Sequence, residues 1–147
     1  MDKGVYCLVF CTRGCTVHVG ALGDILFKPG WYIYVGSALG SGGLKRLERH
    51  IRLSQSHGNI RKWHVDHLLT DPNFSLIYTI SAATTVPLEC EVVRKISGPG
   101  VPGFGCSDCD CLTHLLFRDR NPISRITAVI EDLNLAPVTQ TLINRER

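Results

Sequence analysis

Apolar and polar positions along the chain alternate between two periods, and the alternation marks out strands and helices. Val5-Tyr6-Cys7-Leu8-Val9-Phe10-Cys11 is a continuous run of β-forming apolar residues, which predicts a strand buried on both faces. Thr16-Val17-His18-Val19 and Asp24-Ile25-Leu26-Phe27 read as two shorter strands on either side of a break at Gly20–Gly23. Lys28-Pro29-Gly30 turns the chain. Trp31-Tyr32-Ile33-Tyr34-Val35-Gly36 is the strongest strand signal, aromatic and β-branched throughout. Phe74 to Ile80 alternates as a further strand, and His114 to Arg118 reads as a return to strand.

Helical periodicity takes over after the glycine-rich connection Gly36–Gly43. At about 100° per residue, Leu44, Leu47 and Ile51 fall on one stripe, and Lys45, Arg46, Arg49 and Arg52 occupy the opposite side. Lys62–Leu69, Pro87–Ile96 and Ile123–Leu133 read as three further helices, the third of these followed by a loose tail. The sum is an α/β domain, a small, mostly antiparallel sheet flanked by helices.

Composition sets the outer bounds. The chain has 147 residues, 44% of them apolar and 20% charged, which suits one globular domain rather than disorder or a coiled coil. No uncharged apolar run approaches the roughly 18–20 residues of a membrane helix, and the N-terminus lacks the layout of a signal peptide. These features predict a soluble, cytoplasmic protein. Seven cysteines are an odd and high number; in that setting, reduced thiols or a metal site are expected over a disulfide framework.

Net charge is only +3, but its distribution is uneven. From Gly40 to His64, six basic residues (Lys45, Arg46, Arg49, Arg52, Arg61, Lys62) face one acid, Glu48. That zone predicts a surface for a polyanion, with a plain solvated helix face as the alternative. Lys45, Arg49 and Arg52 are the candidates for non-specific contact with a nucleic-acid backbone.

The third helix carries two acids. Glu89 falls inside its apolar arc, whereas Glu91 lies beside Lys95 and reads as a surface charge. A carboxylate on a core-facing arc costs free energy unless it is paired or binds a cation. Cys106, Cys109, Cys111 and His114 place four soft donors within nine residues. That makes them a candidate second metal site, with Zn²⁺ as the natural ion and Cys90 as a further donor from another element. A turn of reduced thiols is the other reading. His64 and His67 can share a helix face, with a structural role for at least one of them.

Gly4-Val5-Tyr6 on the first strand, Tyr34-Val35-Gly36-Ser37-Ala38 at the end of the strongest strand and Leu44-Lys45-Arg46-Leu47-Glu48-Arg49-His50 on the next helix occur in an order and type that resemble the GIY-YIG nuclease superfamily. With Phe104-Gly105-Cys106 through Thr113-His114-Leu115 included, the pattern looks like an archaeal subgroup found alone or fused to endonuclease III-type repair enzymes. The resemblance spans about residues 4–117. It implies a GIY-YIG-like domain over residues 1–120, with 121–147 as a C-terminal helix and tail. The two tyrosine motifs are far apart for this family, so residues of about 13–30 read as an inserted β-hairpin.

The resemblance also implies an activity, the metal-dependent hydrolysis of DNA phosphodiester bonds, structure-selective or repair-related. Tyr6 would position or deprotonate the water, and Tyr34 would hydrogen-bond within the site. Arg46, three residues ahead of the Arg49-His50 pair, would contact the scissile phosphate. His50 would carry a proton or be an ordinary helix histidine. Glu89, followed by two residues, an apolar pair and a basic residue, would hold Mg²⁺ or Mn²⁺. DNA is the implied partner, with a repair glycosylase as a protein partner; RNA fits the same charge pattern. The rival class is a non-catalytic nucleic-acid-binding module with the same fold and basic helix.

Overall fold

In the computed structural model, which describes residues 2–56, 61–105 and 111–142, the first apolar run forms β1 (Gly4–Thr12). It lies between β4 (Gly30–Ala38) and β5 (Phe74–Ala83), antiparallel to both. β6 (Leu115–Arg118) and β7 (Val138–Thr141) complete a five-stranded sheet in the order β6-β4-β1-β5-β7, with every pairing antiparallel. The central position of β1 explains its unbroken apolar sequence, since strand alternation presents both of its faces to core. Tyr6, Leu8 and Phe10 enter one apolar cluster, and Val5, Cys7 and Val9 enter the other.

The first face is covered by α1 (Lys45–Ser56) and α2 (His64–Leu69). Leu53 of α1 and Val65, Leu68 and Leu69 of α2 are buried there, and Leu44, Leu47 and Ile51 pack against them. The predicted hairpin is present as a separate two-stranded sheet, β2 (Cys15–His18) and β3 (Asp24–Phe27). It contributes Val17 and Phe27 to this same face. The second face is covered by α3 (Glu89–Ile96) and α4 (Ile123–Asp132) through Val92, Val93, Ile96, Ile126, Val129 and Ile130. Among the described residues no helix is long and apolar enough to cross a membrane.

Three expectations change. The segment after residue 120 is built into the domain: α4 supplies part of the second core and β7 extends the sheet. β7 (Val-Thr-Gln-Thr) is exposed at all four positions, so a mostly polar edge strand carried no alternation to detect. The flexible connection begins later than Gly36, because β4 continues through Ala38 by pairing with Gly4, Val5 and Tyr6. Finally, the cysteines are not all reduced: Cys90 and Cys111 are joined as a disulfide, while Cys7, Cys11 and Cys15 are free.

Candidate functional site

The antiparallel register of β1 and β4 places Tyr6 directly opposite Gly36. The glycine is required there by space. A Cβ on Gly36 would lie 2.5 Å from Cζ of Tyr6 and 2.6 Å from its hydroxyl oxygen, closer than real Cβ contacts come. The phenol therefore lies flat over the backbone of β4 and turns its hydroxyl toward α1. It meets His50 Nε2 at 2.9 Å.

His50 is 1% exposed, so it is not an ordinary exposed helix histidine. Its ring packs on Tyr6 on one side and edge-on to Trp63 on the other. Burial lowers its pKa to about 4; Arg49 and Arg46 push the same way against the pull of Asp66. The imidazole is thus neutral at physiological pH. Arg46 lies near enough to the phenol for its charge to favour the ionised form. Either atom of the Tyr6–His50 pair is the donor according to the imidazole tautomer, and the other ring nitrogen is Nδ1. That nitrogen is buried and, among the described residues, has no hydrogen-bond partner.

Tyr6 is buried to 1% exposure. Burial and the neighbouring Tyr34 hold its pKa far above the usual tyrosine range, and Glu89 adds to this, while Arg46 opposes it. The phenol is consequently held as a neutral hydroxyl. Tyr34, Arg46 and Glu89 all lie close enough for their charges to act on the Tyr6 phenol. The four residues come from β1, β4, α1 and α3.

Arg46 donates to the backbone carbonyl of Ser37 at 2.9 Å, so the end of β4 fixes the guanidinium. Glu89, in the first turn of α3, has 28% of its side chain exposed, and its Oε2 lies 3.8 Å from His114 Nδ1. Glu91 is a surface charge, as the helical phase predicted, but it pairs with Arg94 at 3.0 Å, while Lys95 pairs with Asp132. Among the described residues no Lys or Arg forms an ion pair with Glu89. A half-buried carboxylate in that setting suits a hard divalent cation, which takes one or two carboxylates and fills its other positions with water and phosphate oxygens.

The basic helix face divides. Lys45 and Arg52 are exposed, as a backbone-contacting role requires. Arg49 is not available in the same way. Both of its terminal nitrogens donate to the carboxylate of Asp66, at 3.1 and 3.0 Å, and its guanidinium lies 4.5 Å from the Trp63 ring. Asp66 is fully buried and also accepts from the backbone N–H groups of Lys62 and Trp63. Burial alone would raise the Asp66 pKa, but these hydrogen bonds and the Arg49 charge lower it. The ion pair joins α1 to α2 and sets Trp63 beside His50. Arg46 and Lys62 lie 4.9 and 5.2 Å from the same indole, so Trp63 collects three cations at the edge of the site.

A cavity of about 170 Å³ lined by Tyr34, Lys62, Trp63, His64 and Gly105 opens beside this cluster. Gly105 donates its backbone N–H to His64 Nδ1 at 2.8 Å. His64 is therefore spent on this loop, and it does not join His67 in a metal pair. Trp63 and Asp66 were not singled out by sequence reasoning as site residues. The available signal was an acid at the third position of a short helix, with Val65, Leu68 and Leu69 as its apolar members.

On the far side of Glu89, Cys90, Cys111 and His114 each bring one donor atom to within 4.8 Å of the others. This group is able to hold a metal ion. It differs from the expected set: Cys111 and His114 belong to both, Cys106 and Cys109 lie outside the described residues, and Cys90 enters from α3.

The fold and site thus define a small α/β domain with a polar cluster of tyrosine, arginine, histidine and glutamate around the Tyr6 phenol. The chain belongs to the family described as "Domain of unknown function DUF123", whose model matches residues 5–135. No curated protein and no solved structure matches the chain.

Proposed function

We propose that the protein is a metal-dependent DNA endonuclease of the GIY-YIG type, structure-selective or repair-related. The observation that carries this reading is the Tyr6–His50 hydrogen bond, with Tyr34, Arg46 and Glu89 near enough to act electrostatically on the same phenol. Phosphodiester hydrolysis needs an aligned nucleophile and stabilisation of the charge that develops on the phosphate. Arg46, anchored to Ser37, offers a guanidinium fork to two phosphate oxygens. Tyr6 and the neutral His50 orient that fork and hold a proton between them. Glu89 would hold Mg²⁺ or Mn²⁺, which supplies charge neutralisation at the phosphate. Lys45 and Arg52 would meet the DNA backbone, and a repair glycosylase is the protein partner that fits such chemistry.

The test is cleavage of labelled single-stranded, duplex, flap, bulged and abasic DNAs with Mg²⁺ or Mn²⁺. Wild type should cleave at least one shape, and Arg46→Ala should abolish that cleavage while the protein stays folded. The second reading, a non-catalytic nucleic-acid-binding module, is favoured by the 1% exposure of Tyr6. It predicts salt-sensitive binding of the same DNAs with no metal-dependent product.

A further inference from the structure

The Cys90, Cys111 and His114 group is not used by the nuclease reading, and its geometry goes further than proximity. Cys90 lies in the first turn of α3, next to Glu89, and Cys111 and His114 lie on the segment that leads into β6. The Cα atoms of the two cysteines are 5.9 Å apart. Cys90 Sγ lies 3.7 Å from His114 Nε2. A tetrahedral zinc ion with Zn–S of about 2.3 Å and Zn–N of about 2.0–2.1 Å spans an S···N edge of about 3.6 Å. The Cys90–His114 pair already stands at that separation.

The other imidazole nitrogen of His114 faces the Glu89 carboxylate at 3.8 Å. Zinc-bound histidines commonly present their second nitrogen to a carboxylate in this way, which fixes the ring and its tautomer. The His114 side chain is 4% exposed. A buried site tolerates charge only when it is balanced, and two thiolates with one neutral imidazole balance a divalent cation. Sulfur donors also discriminate: they suit Zn²⁺ and leave Mg²⁺ to oxygen ligands.

We infer that the reduced protein binds one Zn²⁺ through Cys90 Sγ, Cys111 Sγ and His114 Nε2, and that this ion ties the start of α3 to the segment before β6. Disulfide and zinc are alternative uses of the same two sulfurs. Conversion requires a reductant. A phosphine takes the disulfide to two thiols and becomes the phosphine oxide, with water supplying the oxygen and both protons; Zn²⁺ then displaces the two thiol protons. The segment held by the ion runs through Gly105, whose missing side chain leaves room for both Tyr34 and His114. The soft ion on Cys90 and the hard ion proposed for Glu89 would occupy neighbouring residues without competing. The zinc site stands independently of the nuclease reading, because it needs neither DNA nor turnover.

The experiment is a Co²⁺ titration of the full chain, reduced by a phosphine and desalted under argon. The expected result is one equivalent of Co²⁺ per chain, with thiolate-to-cobalt charge transfer and tetrahedral d–d absorption. Zn²⁺ should remove both signals and Mg²⁺ neither. Cys90→Ser should lose most of the charge-transfer intensity. Absence of these bands in reduced wild type, or their full retention in Cys90→Ser, overturns the assignment. Alkylation mapping of wild type covers the case in which the variant does not fold. Zn²⁺ should protect Cys90 and Cys111 while Cys11 and Cys15 react as they do without it, and equal reaction at all four positions overturns the proposal. None of these readouts moves if the protein fails to cleave DNA.

Discussion

Lowering the pH through the range 6.5 to 4 protonates His50 in the unfolded chain before it does so in the fold. The ring is 1% exposed, its Nδ1 is buried, and its Nε2 is engaged with the Tyr6 phenol at 2.9 Å. Burial carries most of the drop from 6.5 to about 4, with Arg49 and Arg46 adding to it and Asp66 opposing it. The folded state thus binds this proton at lower pH than the unfolded state does. The contribution to stability is fully present above about pH 6.5 and is lost as pH falls toward 4. Each pKa unit is worth about 1.4 kcal/mol, so the difference corresponds to about 3 kcal/mol. Urea unfolding of wild type and His50→Gln at steps from pH 8 to pH 4 measures it. His64, His67 and His114 are also lowered by burial, but they are common to both proteins and cancel in the comparison. The stability gap between the two proteins should narrow by about 3 kcal/mol between pH 7.5 and pH 4. A gap that stays constant over that range would refute the buried, neutral His50.

Three further outcomes follow from the same contacts. Gly36→Ala places a methyl group 2.5 Å from the Tyr6 ring and should destabilise the fold by about 1–3 kcal/mol; in a double-mutant cycle most of that loss should vanish on a Tyr6→Ala background. Asp66→Ala leaves Arg49 and two backbone N–H groups without their acceptor and should cost about 3–5 kcal/mol in thermal or urea unfolding. Arg52→Ala, at an exposed position of α1, should leave stability unchanged within about 0.5 kcal/mol. In a binding titration against salt it should lower the slope of log K on log salt by about 0.9 if the residue meets one phosphate.

The sheet was legible in the sequence wherever a strand was buried on at least one face. β1 and β4 announced themselves because both of their faces meet core, and the hairpin of β2 and β3 was marked by the glycines that bound it. β7 was not legible, because an exposed edge strand of Val, Thr, Gln and Thr has no apolar side to register. Helical phase ranked the two acids of α3 in the right order of burial, Glu89 at 28% and Glu91 at 42% side-chain exposure. The same phase failed for Arg49: a wheel shows which side a residue occupies, not that a buried Asp66 on the following helix will take both of its nitrogens. His50 was ambiguous for a related reason. Its burial comes from Trp63 and Tyr6, which are distant in sequence and meet only when α2 folds over α1. The disulfide partner of Cys111 likewise required knowing that the start of α3 reaches the segment before β6.

The central claim is that the cluster around the Tyr6 phenol is a hydrolytic site whose metal carboxylate is Glu89. The most direct measurement compares wild type with Glu89→Ala and Glu91→Ala on one cleaved DNA across a Mg²⁺ titration, with circular dichroism to confirm that all three are folded. Glu89→Ala should lose Mg²⁺-dependent cleavage by at least about 100-fold, the size of effect a positioned catalytic interaction commonly carries. Glu91→Ala, whose side chain is paired with Arg94 at the surface, should cleave as wild type does. Equal cleavage by all three proteins would contradict the account.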